Sequence, residues 1–197
     1  MTVSYIPVGT IACLGWGSLV WDSQDLPVNR SWCEDGPMLP LEFARESADG
    51  RLTLVIVDQA PPVQTLWSPI DAINMGEAVS LLRAREKAGW LGSIGRWPET
   101  TRAHRYSERI GAWAAAKGLN GVIWTDLKAG LRSTRGVVPS LGDLLACIDG
   151  MDQPVARAAE EYVRRAPAQI ATPYRAALRQ RLDAAALSRT NIGSGTT

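Results

Sequence analysis

Apolar positions change rhythm along this chain. In the first third they come in short blocks: Ile11-Ala12-Cys13-Leu14, Leu41 to Arg45, Leu52 to Val57 and Val63 to Trp67. Blocks of this length, bounded by Gly, Pro and Asp, read as strands. Between the second and third lies Ser47-Ala48-Asp49-Gly50, whose Asp-Gly pair predicts a hairpin. Residues 22–40 hold Asp, Pro, Asn and Gly without a period and predict an irregular loop with at most a short strand. From residue 74 a helical period takes over. Asn74 followed by Glu77 supplies an N-cap and a glutamate at the third helical position, and Gly89 stands where a left-handed stop is expected. A second helix is expected from about Arg102 to Lys117, with Tyr106, Ile110 and Trp113 on one stripe and Gly118 as its stop. Gly121 to Leu127 reads as a strand. Three helices close the chain: one from Ser140 to Cys147, one from Asp152 to Arg165, and one opened by Thr172-Pro173 and reaching about Ser188. Pro173 suits a first helical position. Strands early and helices late predict an α+β fold rather than a regular βαβ array.

One position breaks the helical pattern after residue 74. Met75, Val79, Leu82 and Glu86 fall on a single stripe at about 100° per residue. The first three are apolar and should face a core, so Glu86 points a carboxylate the same way. Burial disfavours its charge, and the negative end of the helix dipole repels it. Such a residue is paired, functional or on a fraying turn. A salt bridge to Arg45, Arg51 or another arginine is the structural alternative.

The chain has 197 residues, 46% hydrophobic and 21% charged, with a formal net charge of +1. That length predicts one well-cored domain over residues 1–188, with 189–197 a disordered tail. The charge argues against nucleic acid or an acidic membrane surface as partner. No apolar run approaches a membrane span, and the first residues lack a basic and an apolar signal region, so a cytoplasmic protein is expected. Cys13, Cys33 and Cys147 form neither a CxxC pair nor a disulfide framework. The single histidine, His104, lies among polar neighbours and reads as an exposed helix position. With one histidine, a zinc site lacks its usual ligands and a Ser-His-Asp hydrolase lacks its elbow sequence.

Gly15-Trp16-Gly17-Ser18-Leu19-Val20-Trp21-Asp22 follows the first apolar block. Two glycines and a serine at a strand end make a tight turn. Its backbone can approach a ligand, and its N–H groups can form an anion-binding nest. A glycine turn with a core tryptophan is the plainer reading.

This segment resembles the Gly-Tyr-Gly-Ser-Leu-Ile-Trp motif of the ChaC-type gamma-glutamylcyclotransferases. Gly50-Arg51-Leu52-Thr53-Leu54-Val55 resembles that family's glycine-arginine strand, and Arg85-Glu86-Lys87-Ala88-Gly89-Trp90 its Arg-Glu-Lys-Gly-Gly-Tyr. The three motifs occur in the family's order over roughly residues 11–90. The resemblance implies a mixed sheet or small barrel with flanking helices. It implies an enzyme that releases 5-oxoproline from a small gamma-glutamyl amine or peptide, with Glu86 as acid/base and no metal or organic cofactor. Trp16, Gly17, Ser18 and Leu19 would form the binding loop. Arg51 and Tyr174 would join in holding the substrate, Tyr174 as counterpart of a tyrosine in the family's C-terminal helix. Trp16 and Trp90 replace family tyrosines, which points away from glutathione. Two alternatives stand beside this reading: a non-catalytic small-ligand-binding protein of the same fold, and an interaction module whose tryptophans form an exposed patch.

Overall fold

The computed structural model describes residues 6–29, 31–87, 91–99 and 104–192. In chain order its elements are β1 (Ile11–Gly15), β2 (Met38–Glu46), β3 (Leu52–Ile56), β4 (Pro62–Gln64), β5 (Leu66–Ile70), α1 (Met75–Arg85), β6 (Ile94–Trp97), α2 (Ser107–Lys117), β7 (Gly121–Thr125), α3 (Leu141–Asp149), α4 (Gln153–Arg165) and α5 (Arg175–Ile192). The class is α+β, as the sequence predicts. The chain divides into two compact units: Met1–Leu39 with Gln64–Leu127, and Pro40–Val63 with Lys128–Thr197.

The first unit is built on a four-stranded mixed sheet in the order β5-β1-β7-β6. β1 pairs antiparallel with β5 and parallel with β7, where Ile11 faces Gly121 and Cys13 faces Ile123. β6 adds antiparallel to β7. Side chains alternate across the sheet. Ile11, Cys13, Ile123 and Ile94 therefore share one face, where they pack with Ala78, Val79 and Leu82 of α1 and with Leu19 and Leu26. On α2, Gly111 lets the Trp97 indole come close, since a Cβ there would lie 2.3 Å from Trp97 Nε1. Trp113 of α2 meets Trp67 of β5 edge-on at 5.6 Å. Asp35 ties this layer together. It accepts Trp67 Nε1 at 2.7 Å on its carboxylate, Trp113 Nε1 at 2.9 Å on its carbonyl, and the Lys117 ammonium.

The second unit carries a three-stranded sheet in the order β3-β2-β4. The expected hairpin is present. β2 and β3 pair antiparallel, and Gly50 takes φ +87°, a conformation that favours glycine. α4 packs on β3, α5 on α4, and α3 on α5. Tyr162 of α4 meets Phe43 of β2 edge-on at 6.3 Å. The Arg175 guanidinium gathers the carbonyls of Val163, Ala166, Pro167 and Ile170, and so caps the end of α4.

Several boundaries differ from those the sequence predicts. α1 ends at Arg85, and the left-handed residue after it is Lys87 at φ +49°. Gly89 and Trp90 lie outside the described residues. α2 begins at Ser107. Tyr106 precedes it in a left-handed conformation, so the buried stripe is Ile110, Gly111 and Ala114. Arg102 lies outside the described residues. The apolar block at 63–67 splits at Thr65, whose hydroxyl donates to the Pro37 carbonyl at 2.6 Å. His104 is buried rather than exposed: Nδ1 stands 3.2 Å from Asp126 and the ring sits edge-on to Trp124. α5 begins at Arg175, so Pro173 precedes the helix, and it continues to Ile192, past the expected end at Ser188. Residues 193–197 lie outside the described residues.

Gly95 lies directly across from Trp124 on β7, and a Cβ there would sit 2.1 Å from Trp124 Cε2. The Trp124 side chain is fully buried and cannot yield. Gly95→Ala is expected to destabilise the chain by about 1–3 kcal/mol, measured by urea denaturation. An unchanged midpoint would contradict this packing.

Candidate functional site

β1 ends at Gly15, and a single 3₁₀ turn follows at Ser18–Val20. Gly15 serves packing. A Cβ there would lie 2.5 Å from the Trp32 ring, so the glycine makes room for that indole and not for a ligand. Gly17 has φ −123°, which any residue can adopt. Trp16, Gly17 and Leu19 are buried, and Ser18 is half-buried. Leu19 places its side chain in the α1 core, so only its backbone can face a ligand. The hydrogen bonds that close the turn are donated by Val20 to the Gly17 carbonyl and by Trp21 and Asp22 to the Ser18 carbonyl. The N–H groups of Gly17, Ser18 and Leu19 take no part in closing it.

α1 delivers Glu86 to this turn. Asn74 caps the start of the helix, accepting from Glu77 N at 3.0 Å, and Ala78, Val79 and Leu82 seat it on the sheet. Glu86 is its C-cap, with a side chain only 18% exposed. Burial raises the Cys13 thiol well above its ordinary value, and the Glu86 carboxylate raises it further. Glu86 is thus within electrostatic reach of the β1 face that α1 covers. The residue that joins it to the turn is Arg85. Its Nη1 lies 3.3 Å from Glu86 Oε1, its Nη2 lies 3.3 Å from Ser18 Oγ and 2.6 Å from the Asp22 carbonyl, and its Nε donates to that carbonyl at 3.2 Å. One guanidinium spans from the carboxylate to the turn. The arginine seen against Glu86 is the adjacent Arg85.

Arg51 and Tyr174 belong to the second unit. Arg51 pairs with Asp49 at 2.8 Å and lies over the Tyr162 ring at 5.8 Å. Tyr174 contributes its backbone N–H to Glu42 at 3.1 Å. Arg45 donates to the Lys128 carbonyl at 2.7 Å. Glu42 itself is a second inward carboxylate, one that the sequence pattern does not single out. It is 4% exposed and also accepts from Thr172 Oγ1 at 2.6 Å and from Phe43 N at 2.8 Å. Three donors fix it between β2 and the start of α5. Every tryptophan among the described residues is buried or half-buried, so the described tryptophans form no exposed aromatic patch.

No protein-family model and no curated protein sequence matches the chain. Among solved structures it is similar to the crystal structure of a gamma-glutamyl cyclotransferase specific to glutathione from yeast. The identity is 15% and the TM-score 0.47, over 90% of this chain and 99% of that chain.

Burial raises the Glu42 carboxyl above its ordinary value, and its hydrogen bonds from Thr172, Phe43 and Tyr174 only partly offset this. The folded chain therefore holds that proton to higher pH than the unfolded chain. The stability this supplies is complete below the unfolded-state value and is lost as pH rises through the folded-state value. In urea denaturation from about pH 4 upward, stability should fall less steeply with pH in Glu42→Gln than in the native chain over that window. Identical slopes would show that Glu42 does not titrate differently on folding.

Proposed function

We propose that this chain is a gamma-glutamylcyclotransferase-like enzyme that releases 5-oxoproline from a gamma-glutamyl amine or peptide, with Glu86 as acid/base. The observation that carries the reading is the partly buried Glu86 carboxylate, joined through one guanidinium to the Ser18 turn at the end of β1. The three ordered motifs support it from the sequence side.

The chemistry suits one carboxylate. The substrate's α-amine attacks its own γ-carbonyl carbon. A carbon–nitrogen bond closes the five-membered lactam, and the original amide bond breaks to free the leaving amine. Attack is intramolecular, so holding one conformer supplies much of the rate. Glu86 takes the proton that the attacking amine loses and returns it to the departing nitrogen. The N–H groups of Gly17, Ser18 and Leu19 are the candidates to hold the oxyanion or the substrate's α-carboxylate. Trp16 would line the loop. The reaction draws on no metal or organic cofactor. The proposal rests on residues of the first unit; Arg51 and Tyr174 enter only through the family resemblance.

One observation favours the second reading, a non-catalytic protein that binds a small acidic or amine ligand: Glu86 is paired with a cation. That contact is 3.3 Å long, whereas a strong charge-assisted bond measures about 2.7–2.9 Å.

The test is 5-oxoproline release from a panel of gamma-glutamyl compounds, native chain beside Glu86→Gln. The native chain should turn over compounds with apolar leaving groups better than glutathione, because Trp16 brings apolar surface where the family carries a tyrosine hydroxyl. Glu86→Gln should lose about 10²-fold or more while keeping its fold. Equal turnover in both would remove Glu86 from the mechanism, and none in either would favour the ligand-binding reading.

A further inference from the structure

Arg85 is the last residue of α1, where a cation complements the negative end of the helix. Its side chain is only 10% exposed. A guanidinium is planar, with donors at fixed angles. Two of its nitrogens are committed to the turn, Nε and Nη2 to the Asp22 carbonyl and Nη2 also to Ser18 Oγ. With those donors anchored, Nη1 can point in only one direction, and Glu86 Oε1 lies there. A lysine offers a single point charge and cannot make this three-way arrangement.

We propose that Arg85 is the positioning residue of the site, setting where the Glu86 carboxylate stands relative to the Ser18 turn. The inference rests on the reading of Glu86 as acid/base. Arg85 acts through Glu86 and not on the reacting atoms. It has two effects. The fork fixes the carboxylate's place, and its charge favours the ionised form, which is the one that accepts a proton. Of the titratable groups near this end of α1, Lys87 adjoins Glu86 on its own segment, Cys13 lies within its electrostatic reach on β1, and Asp22 stands in the turn that Arg85 grips. Lys87 and Asp22 are exposed, and burial keeps the Cys13 thiol neutral. None of the three can replace a buried guanidinium.

The experiment uses the full chain with Arg85→Gln, Arg85→Lys, Glu86→Gln and the double variant Arg85→Gln/Glu86→Gln. On the best gamma-glutamyl substrate, Arg85→Gln should lower kcat about 10–100-fold with KM changed less than about 3-fold, as expected for a group acting only through the transition state. The acidic limb of its pH profile should move to higher pH. Arg85→Lys should restore the limb, because the charge is kept, but not kcat, because the fork is lost. In the double variant the Arg85 change should cost nothing beyond Glu86→Gln, because the two act as one unit. A folded Arg85→Gln with unchanged kcat and acidic limb overturns the proposal, as do losses that multiply in the double variant. The carboxyl carbon of Glu86, followed by NMR in labelled protein, gives a readout independent of turnover. Its titration midpoint should rise in Arg85→Gln, and an unmoved midpoint overturns the proposal even if neither arginine variant is active. If the native chain turns over no gamma-glutamyl compound while the midpoint still rises, the functional reading fails and the placement of Glu86 by Arg85 stands.

Discussion

A largely buried guanidinium needs partners for its donors, and Arg85 finds them on two different pieces of chain. The carbonyl of Asp22 and the hydroxyl of Ser18 come from the turn after β1, and the carboxylate of Glu86 from the end of α1. Each piece is seated in the same core, the turn through Leu19 and the helix through Ala78, Val79 and Leu82, but their ends are short and irregular. The turn is three residues of 3₁₀ structure, and the helix end gives way to a left-handed lysine. The shared cation makes them one object, and the chemistry proposed for the first unit follows from that.

The sheet explains why the two pieces meet. β1 and β7 are parallel neighbours, so their C-terminal ends leave the sheet on the same edge. α1 lies on the β1–β7 face through Ala78, Val79 and Leu82, and its length sets where its last turn falls. A gamma-glutamyl group folding on itself asks little more of a protein: one held conformer, one proton carrier and a few N–H donors. In the proposed reaction the turn supplies the donors and Glu86 the proton carrier.

Local chemistry makes much of this arrangement legible in the amino-acid sequence. Asn74 and Gly118 act as the cap and stop that their side chains, or lack of one, dictate. The stripe of Met75, Val79, Leu82 and Glu86 sends a carboxylate toward the core side, because helical periodicity survives even where a boundary is misjudged. Arg85 escapes that pattern because it sits one residue, about 100°, off the stripe, and only the tertiary position of the turn brings it back to Glu86. Glu42 escapes for a different reason. β2 is the central strand of its sheet and is buried from Leu39 to Ala44, so alternation along it carries no signal that one position is polar by design. His104 reads as exposed from its neighbours in sequence, yet Asp126 and Trp124 arrive from β7 and the residue after it to bury the ring. In each case the missing information is long-range.

The claim that the β1 turn and Glu86 form one ligand site is tested most directly by titrating the isotopically labelled chain with 5-oxoproline and mapping backbone amide shifts. The perturbed amides should cluster at Gly15–Leu19 and at Arg85–Lys87, and Glu86→Gln should weaken the response at both together. Perturbations confined to the second unit, or a response at the turn indifferent to Glu86, would contradict it.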